Sequence, residues 1–96
     1  MSSHLRNSDS VSVRFMLDAE ASPGLLPRLL QPFAKRDLVP DRMWSHRSAL
    51  GLHVEIALAE VEEQVAALIE GNLRQTVGVA RVVGVRRQPG AADLAG

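Results

Sequence analysis

The chain has 96 residues, of which 46% are hydrophobic and only 3% aromatic, and its eleven basic and eleven acidic residues cancel. These values predict one folded domain with an aliphatic core, and they give no general electrostatic attraction to nucleic acid or to an anionic membrane. The lack of cysteine excludes disulfides and thiolate-bound zinc, and no apolar run approaches the roughly 20 residues of a membrane span.

The N-terminal part predicts a strand that follows a flexible start. Residues 1–10 are polar and without periodicity, and because they do not resemble a secretory signal we expect a cytoplasmic protein. In VSVRFMLD, residues 11–18, apolar and polar residues alternate, which is typical of a half-buried strand. The predicted core-facing residues are Val11, Val13, Phe15 and Leu17.

The stretch EASPGLLPRLLQPFAKR, residues 20–36, predicts the first helix. Ser22 can cap its N terminus, with Pro23 as the first helical residue. Pro27 falls near the first turn, where a missing amide costs little, whereas Pro32 should bend the helix or tighten its last turn. The predicted apolar face consists of Leu25, Leu26, Leu29, Leu30 and Phe33, and the predicted last turn holds Lys35 and Arg36.

The middle of the chain predicts a β-hairpin. Residues 38–47 are compatible with a strand, but Pro40 confines that strand to a sheet edge or places the proline at its beginning. SALG, residues 48–51, predicts the turn. LHVEIAL, residues 52–58, alternates, with Leu52, Val54, Ile56 and Leu58 expected inward and His53, Glu55 and Ala57 outward.

A second helix and a last strand complete the pattern. Glu60, Glu62 and Glu63 favour the N-terminal turn of a helix. Residues 76–85, TVGVARVVGV, are rich in β-branched residues and predict a strand, and residues 88–96 predict a flexible tail. The predicted apolar stripe of the second helix is Val61, Val65, Leu68, Ile69 and Leu73.

The order β-α-β-β-α-β predicts a ferredoxin-like α+β sandwich over residues 11–87, in which two helices cover one face of a four-stranded antiparallel sheet. The other sheet face has no helix to cover it. We expect Arg14, Met16 and His53 on that face, with Trp44 or Met43 according to the register of the second strand. Such a mixed face suits a second copy of the chain, although a solvated face of this composition is also common.

The sequence holds no combination of residues that indicates catalysis, a cofactor or a metal cluster. His46 and His53 face each other if the hairpin loop has four residues, which leaves a small metal protein or enzyme as an alternative, but histidines on an exposed sheet are usually polar surface. Arg81, Arg86 and Arg87 could contact phosphate, although so short a basic segment is weak evidence.

RNA-binding sheets of this type stack bases on aromatic residues of their two central strands. Phe15 is the aromatic residue of the first predicted strand, and the alternation places it on the core face. The last strand has none, and the chain lacks tyrosine. We therefore expect neither a nucleic-acid partner nor a membrane partner.

The turn before the first helix is a candidate ligand site. Backbone amides at a helix N terminus can hold a carboxylate, and Gly24 would let a ligand approach the backbone closely. The simpler alternative is that Ser22, Pro23 and Gly24 start the helix and bind nothing.

Two segments carry a family resemblance: SPGLLPRLLQPFAKRDL after the first strand and LIEGNLRQTVGVARVV at the end. With the order of elements, they make residues 11–87 resemble the ACT domain, and within it the small regulatory subunits of acetohydroxyacid (acetolactate) synthase. The resemblance implies a non-catalytic homodimer that binds an amino-acid effector at its interface and modulates a larger enzyme. It places the ligand at Ala21, Ser22, Pro23, Gly24 and Leu25, facing Val39, Pro40 and Asp41 of the neighbouring protomer.

The chain departs from that resemblance at three positions. Amino-acid-binding relatives usually have Asp or Asn where this chain has Ala21, so the anchor for the ligand's ammonium group is missing. Asp37 replaces the glycine that closes the helix, which is tolerable because aspartate enters the left-handed region more easily than most residues. Val39 stands where the synthase subunits often have Asn. The departures predict weak amino-acid binding or none, with dimer and partner contacts retained.

Three functions follow in order of preference. The first is a dimeric regulatory subunit of a larger enzyme, the second a free-standing amino-acid sensor, and the third a small metal protein or enzyme that uses His46 and His53.

Overall fold

A computed structural model describes residues 9–89 and confirms the predicted order of elements. Apart from residues 9, 10, 88 and 89, the predicted flexible ends lie outside the described residues. Residue 10 already belongs to the first strand. The elements are β1 (Ser10–Ala19), α1 (Leu25–Ala34), β2 (Arg42–Ser48), β3 (Gly51–Glu62), α2 (Glu63–Arg74) and β4 (Val79–Arg87).

The four strands form one antiparallel sheet in the order β2-β3-β1-β4. β1 and β3 are central, so β2 and β4 supply the two edges. Pro40 lies just before β2, and β2 runs along an edge of the sheet, so both places that the sequence allowed for this proline are met. Both helical crossovers and the hairpin agree with the ferredoxin-like sandwich that the sequence predicts.

The core lies between the sheet and the two helices. Alternate residues of β1 are buried, as the period of two predicts, and the helices add side chains at helical spacing. Because both helices contribute to the same buried cluster, they cover the same face of the sheet. The fully buried large side chains are Val13, Phe15, Leu17, Leu25, Leu29, Phe33, Val54, Ile56, Ile69 and Leu73.

Helix α1 begins later than predicted. Gly24 is its N-cap, so the prediction that Ser22 caps the helix with its side chain is wrong. The Ser22 carbonyl instead accepts a hydrogen bond from the Leu25 amide at 3.1 Å. Pro27 is then the third helical residue, where its missing amide has no intrahelical partner to lose.

The end of α1 is tightened after Pro32, as predicted. The helix ends at Ala34, so Lys35 and Arg36 follow it and do not lie in its last turn. Asp37 adopts a left-handed conformation with φ of 56°, and the amide that follows it donates to the Phe33 carbonyl at 2.9 Å. This is the helix-closing geometry that glycine usually provides, here adopted by an aspartate.

The boundary between β3 and α2 differs from the prediction. β3 continues to Glu62, so Glu60 and Val61 are in a strand and not in a helix. Val61 pairs with Val11 of β1 and is only 8% exposed, and this pairing outweighs the preference of acidic residues for a helix start. Leu68, predicted in the apolar stripe, is 53% exposed, while Ala66 and Glu70 are buried.

The segment before β4 forms a turn and not the predicted strand. Thr76 donates its hydroxyl to the Asn72 carbonyl at 2.9 Å, and Gly78 has a φ of 98°. These features end α2 and redirect the chain. β4 therefore begins at Val79, three residues later than predicted, and ends at Arg87.

Candidate functional site

The loop between β1 and α1 holds the first half of the predicted ligand site. Ala21, Ser22, Pro23 and Gly24 are all exposed, whereas the Leu25 side chain is fully buried in the core. The loop is therefore accessible at its first four residues. Leu25 can offer a ligand only its backbone.

The backbone at the start of α1 offers few free amide donors. The Leu25 amide donates to the Ser22 carbonyl, and Pro27 has no amide hydrogen. Among the first three helical residues, only the Leu26 amide has no acceptor within residues 9–89. The candidate anion-binding amide cluster is reduced here to two donors, the Gly24 and Leu26 amides, that have no acceptor within residues 9–89.

Arg28, the fourth residue of α1, lies beside this loop and was not among the site residues predicted from the sequence. A side chain built on Gly24 would lie 3.2 Å from the Arg28 guanidinium, whose Nη1 donates to the Val77 carbonyl at 3.2 Å. Gly24 has an ordinary φ of −87°, so its small size serves this close approach and not a special conformation. The sequence did indicate this contact, because Arg28 follows Gly24 by four residues and residues at that spacing lie on one face of a helix.

The second half of the predicted site lies at the other end of the sheet. Asp41 is next to Ala57, to whose carbonyl its amide donates at 2.9 Å, whereas β1 ends with Ala19 opposite Leu52. Five residues of strand separate these positions, which is roughly 17 Å. Within one chain, residues 21–25 and residues 39–41 are therefore not brought together.

The two histidines of the hairpin do lie opposite each other. His46 pairs with His53 across β2 and β3, although the turn has two residues and not four, because Ser48 pairs with Gly51. The His46 ring stacks on Trp44 at 6.3 Å between centroids. Within residues 9–89, no group of three or more acidic or histidine side chains is placed to hold a metal ion.

His53 is bound by two carboxylates. Its Nδ1 lies 3.0 Å from Oδ1 of Asp18 and its Nε2 lies 3.1 Å from Oε2 of Glu55. The hydrogen bond with Asp18, followed by that with Glu55, raises the pKa of His53 above its ordinary value. Because the folded state holds the proton more tightly, the protonated ring stabilises the fold.

This contact gives the stability of the protein a pH dependence. The contribution of His53 is fully present below the ordinary histidine pKa of about 6.5 and is lost as pH rises through the raised pKa of the folded state. The substitution His53→Gln should therefore cost more stability at pH 5.5 than at pH 8.5, by less than about 1 kcal/mol since the ring is partly exposed. Urea unfolding at the two pH values measures the difference.

Asp18→Asn is the matched variant for that measurement, because it removes the first partner of His53 and keeps the ring. Like His53→Gln, Asp18→Asn should make the stability of the protein depend less on pH. Equal costs of His53→Gln at both pH values would contradict the assignment.

The basic residues near the C terminus are partly engaged. Arg86 donates to Glu63 at 3.0 Å and to Glu70 at 2.6 Å, and Arg81 lies 3.8 Å from Asp18. Burial raises the pKa of Glu70, but Arg86 and then Arg74 outweigh that effect and hold the pKa below its ordinary value. Arg86 thus contributes to packing of α2 on β4, which leaves it poorly placed for phosphate.

The sheet face opposite the helices, called the open face below, has the residues that the sequence predicted. Arg14, Met16 and His53 lie on it, and the register adds Trp44, which pairs with Glu55. Met43 pairs with the buried Ile56 and so belongs to the other face. A depression on the open face has a volume of about 270 Å³ and is lined by Arg14, Arg42, Trp44, Glu55 and Ala57.

These features define the chain as a ferredoxin-like α+β sandwich with an accessible loop before its first helix and one uncovered sheet face. The sequence model of the ACT-like domain matches residues 6–89, and the chain belongs to that family. Domains of this family are generally regulatory, with a ligand-binding role.

No curated protein matches the chain in a sequence search. Within residues 9–89, neither helix has the length and apolar character needed to cross a lipid bilayer.

Proposed function

We propose that the protein is a non-catalytic regulatory subunit that works as a homodimer paired through the edges of two β2 strands. The observation that carries this proposal is the separation of residues 21–25 from residues 39–41 at opposite ends of the sheet. A pocket that needs both segments requires a second copy of the chain.

Antiparallel pairing of β2 with β2 of a second copy would bring the two segments to the same end. In such a pair, the start of one strand lies beside the end of the other. β2 ends at Ser48, and β1 ends at Ala19, at the same end of the sheet. Residues 39–41 of the second copy would therefore approach the loop at residues 21–25.

The β2 strand itself supports this arrangement. All seven of its residues are exposed, and its outer edge pairs with no other strand of the described chain. An unpaired strand edge offers a row of backbone donors and acceptors to another strand. Two copies related by a two-fold axis would extend the sheet across the dimer.

The amino-acid site of such a dimer should be weak. Ala21 offers only a methyl group where a polar anchor would pair with an ammonium group, and the start of α1 has one free amide among its first three residues. Unpaired charged groups of a bound amino acid would cost free energy. The protein therefore serves mainly as a scaffold and interface, and the larger enzyme it binds is a catalytic subunit of amino-acid metabolism such as acetolactate synthase.

A charge exchange at Ser45, the middle residue of β2, tests the dimer. In a two-fold pair centred on this residue, Ser45→Asp places two like charges opposite each other, and Ser45→Lys does the same. Each variant alone should be monomeric in analytical ultracentrifugation, whereas an equimolar mixture should recover the dimer of the unmodified protein. Ala80→Asp, a matched change at an exposed position of the β4 edge, should leave the dimer intact.

A monomeric unmodified protein, or a dimer that survives Ser45→Asp, would overturn the β2 interface. The regulatory role is measured separately, with a purified acetolactate synthase catalytic subunit assayed with and without the protein. Stimulated activity with co-elution of the two chains supports that role, and unchanged activity without co-elution rejects this enzyme as the partner.

A further inference from the structure

The open face contains a pair of arginines that the regulatory role above does not use. Arg42 of β2 and Arg14 of β1 are both opposite Ala57 of β3, so the three residues form one row across the sheet. Residues in one row of a sheet point to the same face. The backbones of the two arginines are roughly 10 Å apart, two strand spacings, and the only side chain between them is the methyl group of Ala57.

Neither arginine has a partner in the described part of the chain. The side chains of Arg14 and Arg42 make no hydrogen bond or ion pair with any of residues 9–89, whereas the Arg86 side chain is bound by Glu63 and Glu70. The neighbouring carboxylate, Glu55, binds the Nε2 of His53 at 3.1 Å. Two guanidinium groups that share a depression repel each other, and an anion between them would relieve that repulsion.

The wall of the depression is aromatic and held in place. Trp44 is half-exposed, at 50%, and its indole is stacked on His46 and meets the His53 ring edge to face at 5.6 Å. A fixed indole offers a flat apolar surface beside the two positive charges. The volume of about 270 Å³ lies just below the range of roughly 300–1,000 Å³ for drug-sized ligands, so the occupant must be small.

We propose that this depression binds a small aromatic monocarboxylate. The carboxylate lies over Ala57 and accepts hydrogen bonds from Arg14 and Arg42, whose planar groups suit carboxylate oxygens, and the ring packs against Trp44. Glu55, which also lines the depression, leaves the lining with a net charge of plus one, and this favours a monoanion over a doubly charged phosphate. This site is separate from the loop at residues 21–25 and does not require the dimer.

Benzoate titrated into the full ¹⁵N-labelled chain tests the proposal, because Trp44 is the single tryptophan and gives one indole N–H resonance. We expect a saturable shift of that resonance. Arg14→Gln and Arg42→Gln should each weaken binding roughly tenfold or more, the effect of losing a charge-assisted hydrogen bond. Ala57→Leu keeps both arginines and fills the depression, so it should abolish the saturable shift.

Arg47→Gln is the matched control. Arg47 is on the same strand as Arg42 but pairs with Leu52, which packs against the core, so it lies on the opposite face. The control should bind benzoate like the unmodified chain. Cyclohexanecarboxylate, with the same charge and no aromatic ring, should bind several-fold more weakly.

Three results would overturn the proposal. One is a shift that rises linearly without saturation, and another is equal affinity in Arg14→Gln, Arg47→Gln and the unmodified chain. The third is inorganic phosphate binding more tightly than benzoate, which would make the depression a phosphate site. Circular dichroism of each variant confirms that the chain is folded.

Discussion

The substitution Phe15→Ala is expected to lower the free energy of unfolding by about 3–5 kcal/mol. Phe15 has no exposed surface and lies on β1, the strand that pairs with both β3 and β4. Its ring meets that of Phe33 from α1 edge to face, with centroids 6.1 Å apart and an angle of 70° between the planes. Phe15 and Phe33 are the two phenylalanines of the chain, and Trp44 lies on the open face, so no other large ring can fill the space.

The loss expected for Phe15→Ala would be a large part of the total free energy of unfolding, since domains are stable by only about 5–15 kcal/mol. Urea unfolding at one fixed protein concentration measures it, and the fixed concentration matters because dimer formation adds to apparent stability. Val83→Ala, at a partly exposed position of β4, is the control and should stay within about 0.5 kcal/mol.

A double-mutant cycle sharpens the result. Phe15→Leu, Phe33→Leu and the double variant should show a coupling of about 0.5–1.5 kcal/mol for the edge-to-face pair. A loss below 2 kcal/mol for Phe15→Ala would mean that the aliphatic core closes around the gap. The packing of α1 on the sheet would then be looser than the structure shows.

The fold could be predicted where apolar and polar residues alternate with a clear period. β1 and the first part of β3 alternate between apolar and polar residues, and this alternation decides which face is buried. The end of β3 was not predictable, because Val61 and Glu62 suit either a strand or a helix start. Pairing with Val11, a distant residue, decides between them, and no local pattern reveals such a pairing.

The candidate sites divide in the same way. The loop at residues 21–25 could be identified from its own residues, since Pro23 and Gly24 mark a helix start. The depression on the open face could not, because Arg14 and Arg42 are far apart in sequence and only the register of three strands brings them opposite Ala57. The contact of Arg28 with Gly24 likewise depends on side-chain placement.

Gly51→Ala is the second substitution with a large expected effect, a loss of about 2–4 kcal/mol in the free energy of unfolding. Gly51 has a φ of 131° and begins β3 directly after the hairpin turn. A β-carbon at this position would lie 2.6 Å from the carbonyl oxygen of Ala19. That oxygen belongs to the backbone of β1, so relief of the clash requires movement of the sheet and not of a side chain.

Gly71→Ala makes the same chemical change at a position that has neither a positive φ nor a close backbone atom. Gly71 lies inside α2, and a β-carbon there would meet nothing within 4 Å. Since glycine is a poorer helix former than alanine by about 0.5–1 kcal/mol, this variant should gain stability by that amount. Denaturant unfolding of the two variants should therefore give opposite signs. A Gly51→Ala chain as stable as the unmodified protein would mean that the hairpin turn and Ala19 are further apart than the structure places them, and the register that sets Ala19 opposite Leu52 would be wrong.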